Sequence, residues 1–185
     1  LLIAGAYWRR HQLHRQAAAT GEDQHYAESF QVMGTIATVQ FWEEDPERSK
    51  AAAAKVKEVF AEVNRRFSNY NPESELSRLN ASAYERPFTC SDEMWDLLQE
   101  CRAAYGYTHG AFDISAGPLV KLWGIYRKEK KTLPTAAEID AARARVGLDK
   151  VVFNEEARTV KFTVAGMYLD VGGIANVDVR HLMVN

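Results

Sequence analysis

The chain has 185 residues, of which 46% are hydrophobic and 26% are charged, and its formal net charge is −2. This length and composition are typical of one globular domain with a hydrophobic core of its own. A net charge near zero with dispersed basic residues excludes the basic face by which proteins bind nucleic acid.

The N-terminal segment, residues 1–8, is apolar and is followed directly by basic residues. Eight residues are too few to cross a bilayer, which takes about 20. Two interpretations stay open: the remnant of a signal peptide or membrane anchor, or a frayed terminus. Residues 12–31 are polar and have the composition of a linker. We therefore expect residues 1–29 to precede a folded domain that begins near residue 30.

The first elements of that domain are a strand and a long helix. Residues 30–42 are rich in β-branched and aromatic side chains, which predicts a single strand. Asp45 followed by Pro46 is a helix start, and apolar residues recur at helical spacing as far as Phe67. This apolar stripe indicates a core-facing helix over residues 46–67. In the turn-rich run that follows, Ser74 is placed to cap a short helix over residues 75–79.

A second amphipathic helix is predicted after Ser91, with its apolar stripe running from Met94 to Tyr105. The two cysteines, Cys90 and Cys101, lack the Cys/His spacing of a zinc site, and we expect both to pack as small apolar side chains. Further along, residues 135–138 form a capping box that predicts a helix as far as about residue 146.

Two strands, over residues 151–154 and 159–164, are predicted to follow that helix. The mixed order of strands and helices predicts an α+β domain, with one layered sheet covered by packed helices.

One run of unusual composition, residues 109–124, combines three glycines, Pro118 and a single carboxylate, Asp113. Pro118 biases the two residues before it toward extended or turn geometry. The apolar residues between the glycines predict a shaped loop pressed against the core, and such loops often hold a ligand. Taken alone, Asp113 has the alternative role of capping its own turn, and Phe112 that of a core residue.

A second run of this kind occupies residues 169–175. An apolar, strand-like segment delivers Asp170 to a turn formed by Gly172 and Gly173, whose backbone N–H groups suit an anion. Two separate carboxylates beside glycines predict a nucleotide site, provided that Asp113 and Asp170 converge in space.

Four motifs in this order resemble those of the FAD:protein FMN transferases, the ApbE-type flavin transferase family formerly called thiamine biosynthesis lipoproteins. They are Met-Gly-Thr at 33–35, the run at 68–80, Gly-Ala-Phe-Asp to Trp-Gly at 110–124, and Leu-Asp-Val-Gly-Gly-Ile-Ala at 169–175. The resemblance covers residues 30–175 and only the N-terminal half of a family member. It implies a layered α+β fold of the ApbE/T-fold type with its C-terminal half missing.

The resemblance implies a Mg²⁺-dependent enzyme that splits FAD, joins FMN to a Thr or Ser hydroxyl of a partner protein and releases AMP. The implied acceptor is a flavin-bearing subunit of a redox pump or a reductase. The implied location is the periplasmic side of the bacterial inner membrane, with an N-terminal anchor as one option.

The site residues implied by the resemblance lie in all four motifs, and no catalytic residue is identified among them. Met33 and Tyr70 would line the flavin or adenine pocket, and Asp170 would hold the cofactor from the last motif. The same resemblance gives FAD contacts to Ala111, Phe112 and Asp113. Gly173 occupies the position where the family supplies an oxygen to the metal, which a glycine can do only with its carbonyl.

The chain departs from the family pattern after Ala175, where the usual Lys-Gly is absent and residues 176–185 form an atypical tail. The family's later metal cluster and His-containing loop have no counterpart here, so we expect this fragment to be inactive alone. The alternatives are a non-catalytic FAD-binding protein or inactive remnant, and an α+β domain without a ligand.

Overall fold

A computed structural model describes residues 25–32, 35–42, 45–125 and 132–173. Three sequence predictions lie outside these residues: the apolar segment at 1–8, Met33 and the tail at 176–185. The helices and strands in chain order are β1 His25–Val32, β2 Thr35–Trp42, α1 Pro46–Phe67, α2 Glu75–Ser82, β3 Phe88–Thr89, α3 Asp92–Tyr107, α4 Gly117–Leu122, α5 Ala136–Arg143, β4 Val151–Asn154 and β5 Thr159–Phe162.

The chain divides into two compact units, residues 1–58 and 59–185, with the boundary inside α1. In the first unit, β1 and β2 form an antiparallel hairpin, in register from the pair His25 and Trp42 to the pair Val32 and Thr35. The prediction of one strand over residues 30–42 was therefore wrong, as was that of a linker extending to residue 31. The polar composition of β1 suggested a linker, but its side chains alternate in burial, which is the property of a strand.

The long helix α1 has the predicted bounds, Pro46–Phe67. Its start is fixed by Asp45, whose Oδ1 accepts a hydrogen bond of 2.9 Å from the backbone N of Glu47. Later in the helix, the side chains of Val63 and Phe67 are buried, as the apolar stripe predicted.

The second unit contains a three-stranded antiparallel sheet in the order β3-β5-β4. The sequence did not predict β3, because two residues carry too little pattern, and β5 ends at Phe162 instead of residue 164. The centre of the core consists of fully buried side chains from α2, α3, β5 and the segment after β5: Leu76, Leu79, Met94, Leu98, Cys101, Val160, Phe162, Leu169 and Val171.

Two helix starts follow the predicted capping residues: Ser74 caps α2, and Thr135 forms the predicted capping box with Glu138. Ser91, after which the third helix was predicted to begin, caps α3. The carboxylate of Glu75 is buried, and its two oxygens accept hydrogen bonds of 2.7 Å each from the backbone N and the hydroxyl of Ser91. These bonds join the starts of α2 and α3. They therefore also fix the position at which the turn-rich run before α2 ends.

The run at residues 109–124 is a loop only in its first part, so this prediction was partly wrong. Ile114–Ala116 form a 3₁₀ turn and α4 follows directly. Pro118 lies in the first turn of α4, where no backbone N–H is needed and the fixed φ of proline suits a helix. Gly117 accordingly has helical angles, φ −49° and ψ −39°, and not the extended geometry that Pro118 was predicted to favour.

Among the described residues, no helix combines the length and the apolar character required to span a bilayer.

Both cysteines are buried free thiols, as predicted. Burial raises the pKa of each thiol to about 12. We therefore expect neither Cys90 nor Cys101 to react with a thiol reagent such as DTNB at pH 8 in the folded protein, because the thiolate is the reactive form. Both should react at once in denaturant.

The same shift makes stability depend on pH. The folded pKa lies above the ordinary value of about 8.5, so the unfolded chain ionises first as the pH rises. The contribution of the two thiols to the free energy of unfolding should be constant below about pH 8.5 and should fall between about pH 8.5 and about pH 12. Fast labelling of the folded protein at pH 8 would contradict the burial of these thiols.

Candidate functional site

The two motifs that carry the predicted carboxylates lie side by side. The backbone N of Asp170 donates a hydrogen bond of 2.7 Å to the carbonyl O of Ile114, the residue after Asp113. This bond lies outside the sheet, so the segment around Asp170 was wrongly predicted to be strand-like. The fold thus brings the segments of Asp113 and Asp170 together, although they are far apart in sequence.

The side chain of Asp170 is half-buried, and one of its carboxylate oxygens accepts two hydrogen bonds. Its Oδ1 accepts hydrogen bonds from the side-chain amide of Asn69 at 3.0 Å and from the backbone N of Gly172 at 2.9 Å. The backbone is helical at Gly172 and Gly173, so the glycine pair begins a helical turn. Asp170 therefore stabilises the start of that turn in the way an N-terminal cap does.

Asp113 is also half-buried, and it caps the 3₁₀ turn that follows it. Its Oδ1 accepts a hydrogen bond of 2.8 Å from the backbone N of Ser115. The alternative role given to this residue, a cap on its own turn, is therefore present in the structure. The contact occupies one carboxylate oxygen, and the FAD contact given to Asp113 stays a prediction.

The aromatic ring of Phe112 is half-buried and lies against the glycine pair. A Cβ atom placed on Gly173 would lie 3.4 Å from Cε2 of Phe112, an ordinary van der Waals distance. The neighbouring Ala111 is exposed. Phe112 and Gly173, which were predicted to contact FAD and the metal, therefore lie close together across the two motifs.

Tyr70 follows Asn69 in the turn-rich run, and 53% of its surface is exposed. Its backbone N donates a hydrogen bond of 3.1 Å to the hydroxyl of Ser68, which holds this turn. Because Asn69 binds Asp170, the position of Tyr70 is tied to the last motif as well. An exposed, anchored aromatic ring is suited to stacking on a planar ligand.

Tyr168 packs between the two motifs. Its carbonyl O would lie 2.4 Å from a Cβ atom on Gly117, so this contact requires glycine. The ammonium group of Lys121 lies 3.0 Å from the centroid of the Tyr168 ring. Burial, and after it the negative charge of Asp170 and the nearby Tyr70, raise the pKa of the Tyr168 hydroxyl above its ordinary value.

An open cavity of about 460 Å³ borders this region, within the size range of small-molecule sites. Its wall includes Asn80, Lys121, Arg145 and Tyr168. Because Asn80 also contacts Leu169, the cavity lies beside the segment that carries Asp170.

Asn69, Asn80 and Ser115 hold the two motifs in place, and sequence reasoning did not identify them. The hydroxyl of Ser115 accepts a hydrogen bond of 2.7 Å from the backbone N of Gly147, which ties the Asp113 motif to the end of the α5 region. Asn69 is the second residue of the run at residues 68–80, and Asn80 is its last. The run is one of the four motifs, but no local pattern shows which of its polar side chains reach residues 101 and 89 positions away.

No group of three or more His, Cys, Asp or Glu side chains that would hold a metal ion occurs in the described part of the chain. Gly173 is exposed, and as a glycine it can offer a metal only its backbone carbonyl oxygen. Mg²⁺ prefers several oxygen ligands in octahedral geometry. The described residues therefore do not assemble a complete magnesium site by themselves.

Comparison with known proteins gives a consistent result. A model of the ApbE family matches residues 33–177. The chain is 33% identical over 128 residues to the FAD:protein FMN transferase of Vibrio cholerae, covering 69% of this chain and 38% of that protein. It is 38% identical over 128 residues to an enzyme of the same name from Klebsiella pneumoniae, covering 68% of this chain and 37% of that protein.

The solved structure of the flavin transferase ApbE from Vibrio cholerae superposes with a TM-score of 0.77 at 28% identity. It covers 88% of this chain and 53% of the other. The chain thus spans about half or less of the length of the relatives it matches. These similarities confirm the predicted α+β fold and the resemblance seen in the four motifs. The chain belongs to the ApbE family.

Proposed function

We propose that the protein carrying this chain is an FAD:protein FMN transferase, and that the surface formed by the Asp113 and Asp170 segments binds FAD. The observation that carries this proposal is the hydrogen bond between the Asp170 backbone N and the Ile114 carbonyl. It places two family motifs, each with a half-buried carboxylate, next to each other. The names of the relatives support the same activity.

The side chains around this contact have the chemistry that a flavin nucleotide requires. Carboxylate oxygens of Asp113 and Asp170 accept hydrogen bonds from hydroxyl groups of the ribityl chain or ribose, or from the adenine amino group. The rings of Tyr70 and Phe112 offer flat apolar faces for the isoalloxazine or adenine ring. Met33 stays a predicted FAD contact, which rests on the family resemblance alone.

In the proposed reaction, the Thr or Ser hydroxyl oxygen of the acceptor forms a bond to the FMN phosphorus. The bond from that phosphorus to the bridging pyrophosphate oxygen breaks, AMP leaves, and the hydroxyl proton passes to a base. Such transfers depend mainly on positioning and charge neutralisation. We propose a dependence on Mg²⁺, for which the Gly173 carbonyl oxygen would be one ligand and residues beyond the described ones would supply the others.

The acceptor that we propose is a flavin-bearing subunit of a redox pump or a reductase, on the periplasmic side of the inner membrane. The proposal rests on the family resemblance of the motifs. Localisation is tested separately, by fractionating cells that express the full-length protein and probing the periplasmic and membrane fractions.

The activity is tested by incubating the full-length protein with FAD, Mg²⁺ and an acceptor subunit, followed by intact-mass analysis of the acceptor. We expect a mass increase of one FMN, formation of AMP, and loss of both when EDTA is added or the acceptor threonine is changed to alanine. FAD binding without any covalent product would favour the alternative of a non-catalytic FAD-binding protein. Absence of both binding and transfer would refute the proposal.

A further inference from the structure

Asn80, on α2, contacts both backbone polar atoms of a residue 89 positions away. Its side-chain N donates a hydrogen bond of 3.0 Å to the carbonyl O of Leu169, and its Oδ1 accepts one of 2.7 Å from the backbone N of Leu169. Leu169 is completely buried, so both of its backbone groups need partners inside the protein. One side chain therefore holds the segment immediately before Asp170.

The two hydrogen bonds between Asn80 and Leu169 resemble the pair that joins two opposite residues of neighbouring antiparallel strands. A primary amide presents a donor and an acceptor side by side, as a backbone peptide pair does in a sheet. An aspartate at this position would only accept hydrogen bonds, and an aliphatic residue would make neither. The contact thus depends on the amide group of Asn80 and not merely on the size of the side chain.

Asn69 continues the contact to the carboxylate itself. Its amide donates to Oδ1 of Asp170 at 3.0 Å, and its own Oδ1 lies 3.5 Å from the amide N of Asn80. Asn69 is in turn held by its neighbour Ser68, which is buried and whose carbonyl accepts hydrogen bonds from the hydroxyls of Ser74 and Ser77. The two asparagines therefore link a fixed turn to both the backbone and the side chain of the last motif.

We propose that Asn80 and Asn69 are positioning residues for Asp170: Asn80 holds the backbone of its segment, and Asn69 holds the orientation of its carboxylate. The proposal rests on the function proposed above, because the consequence of this positioning is tighter FAD binding. A binding group that is held in place before the ligand arrives loses less conformational entropy on binding than a mobile one.

The test compares Asn69→Ala and Asn80→Asp with the control Asn154→Ala in the full-length protein. Asn154 is an exposed asparagine at the end of β4, and its side chain accepts a hydrogen bond from the backbone N of Ala157 in its own turn. Hydrogen exchange reports the protection of the backbone amides of residues 169–172, and quenching of flavin fluorescence reports FAD affinity. Thermal unfolding shows whether each variant remains folded.

We expect Asn69→Ala to lower the protection of Gly172 and to weaken FAD binding about tenfold, with little change in the unfolding temperature. Asn80→Asp should lower protection across residues 169–172 and weaken binding further, whereas Asn154→Ala should change neither readout. The inference would be overturned if the two variants exchanged their amides as the wild type does. It would also be overturned if the wild type bound FAD and both variants bound it with the same affinity. A wild-type protein that does not bind FAD would refute the proposed function, while the exchange data would still decide the positioning.

Discussion

Gly117→Ala is expected to be strongly destabilising, by about 3 kcal/mol or more. The new Cβ atom would lie 2.4 Å from the carbonyl O and 2.6 Å from Cδ1 of Tyr168. The first of these is a backbone atom, which cannot move away without displacing the chain that leads to Asp170. Because Gly117 has ordinary helical angles, the cost is steric and does not come from its backbone conformation. Urea unfolding of the variant measures this cost.

Gly106→Ala provides the matched control. Gly106 lies inside α3, and a Cβ atom there would meet no heavy atom within 4 Å. Since alanine favours a helix over glycine, this change should stabilise the protein by about 0.5–1 kcal/mol. Equal stability of the two variants would show that the Asp170 segment does not pack against Gly117 as described.

The second large effect is expected at Asp170. Asp170→Asn keeps a carbonyl oxygen that can accept the hydrogen bonds from Asn69 and Gly172, but it removes the negative charge. If the carboxylate contacts FAD, affinity should fall at least tenfold, about 1.4 kcal/mol, with little loss of stability. Asp170→Ala should lose both stability and affinity, because it also removes the oxygen that accepts both hydrogen bonds. Fluorescence titration with FAD, paired with thermal unfolding, measures the two effects.

A suitable control is Asp96→Asn, since Asp96 is an exposed aspartate on α3. It removes the same charge and should leave FAD affinity unchanged. Wild-type affinity in Asp170→Asn, combined with weak binding in Asp170→Ala, would mean that Asp170 only supports the glycine turn and makes no ligand contact of its own.

The sequence predicted those parts of the fold that depend on neighbouring residues. The bounds of α1 and the caps of α2, α3 and α5 follow from short-range rules that connect a side chain to the backbone of the next turn. The burial of both cysteines was predicted from the usual behaviour of free thiols.

The errors occurred where the outcome depends on partners far away in sequence or on competing local signals. β1 was missed because its stability comes from pairing with β2, while its own composition is polar. The prediction for Pro118 used its tendency to make the preceding residues extended. Proline is also favoured in the first turn of a helix, and that is where Pro118 lies in α4.

The candidate site shows the same division. The glycines and single carboxylates of the motifs around Asp113 and Asp170 predicted a shared site, and the structure places these two segments side by side. Asn69 and Asn80 were not identified individually, because their roles consist of hydrogen bonds that span 101 and 89 positions. Nothing in the local sequence distinguishes these two asparagines from Asn71 in the same turn-rich run.

The most direct test of the central claim is a crystal structure of the full-length protein with FAD bound. We expect FAD to contact both the segment of Ala111, Phe112 and Asp113 and the segment of Asp170 to Gly173 in the same molecule. FAD bound elsewhere, with both carboxylates facing solvent, would contradict the assignment of this surface.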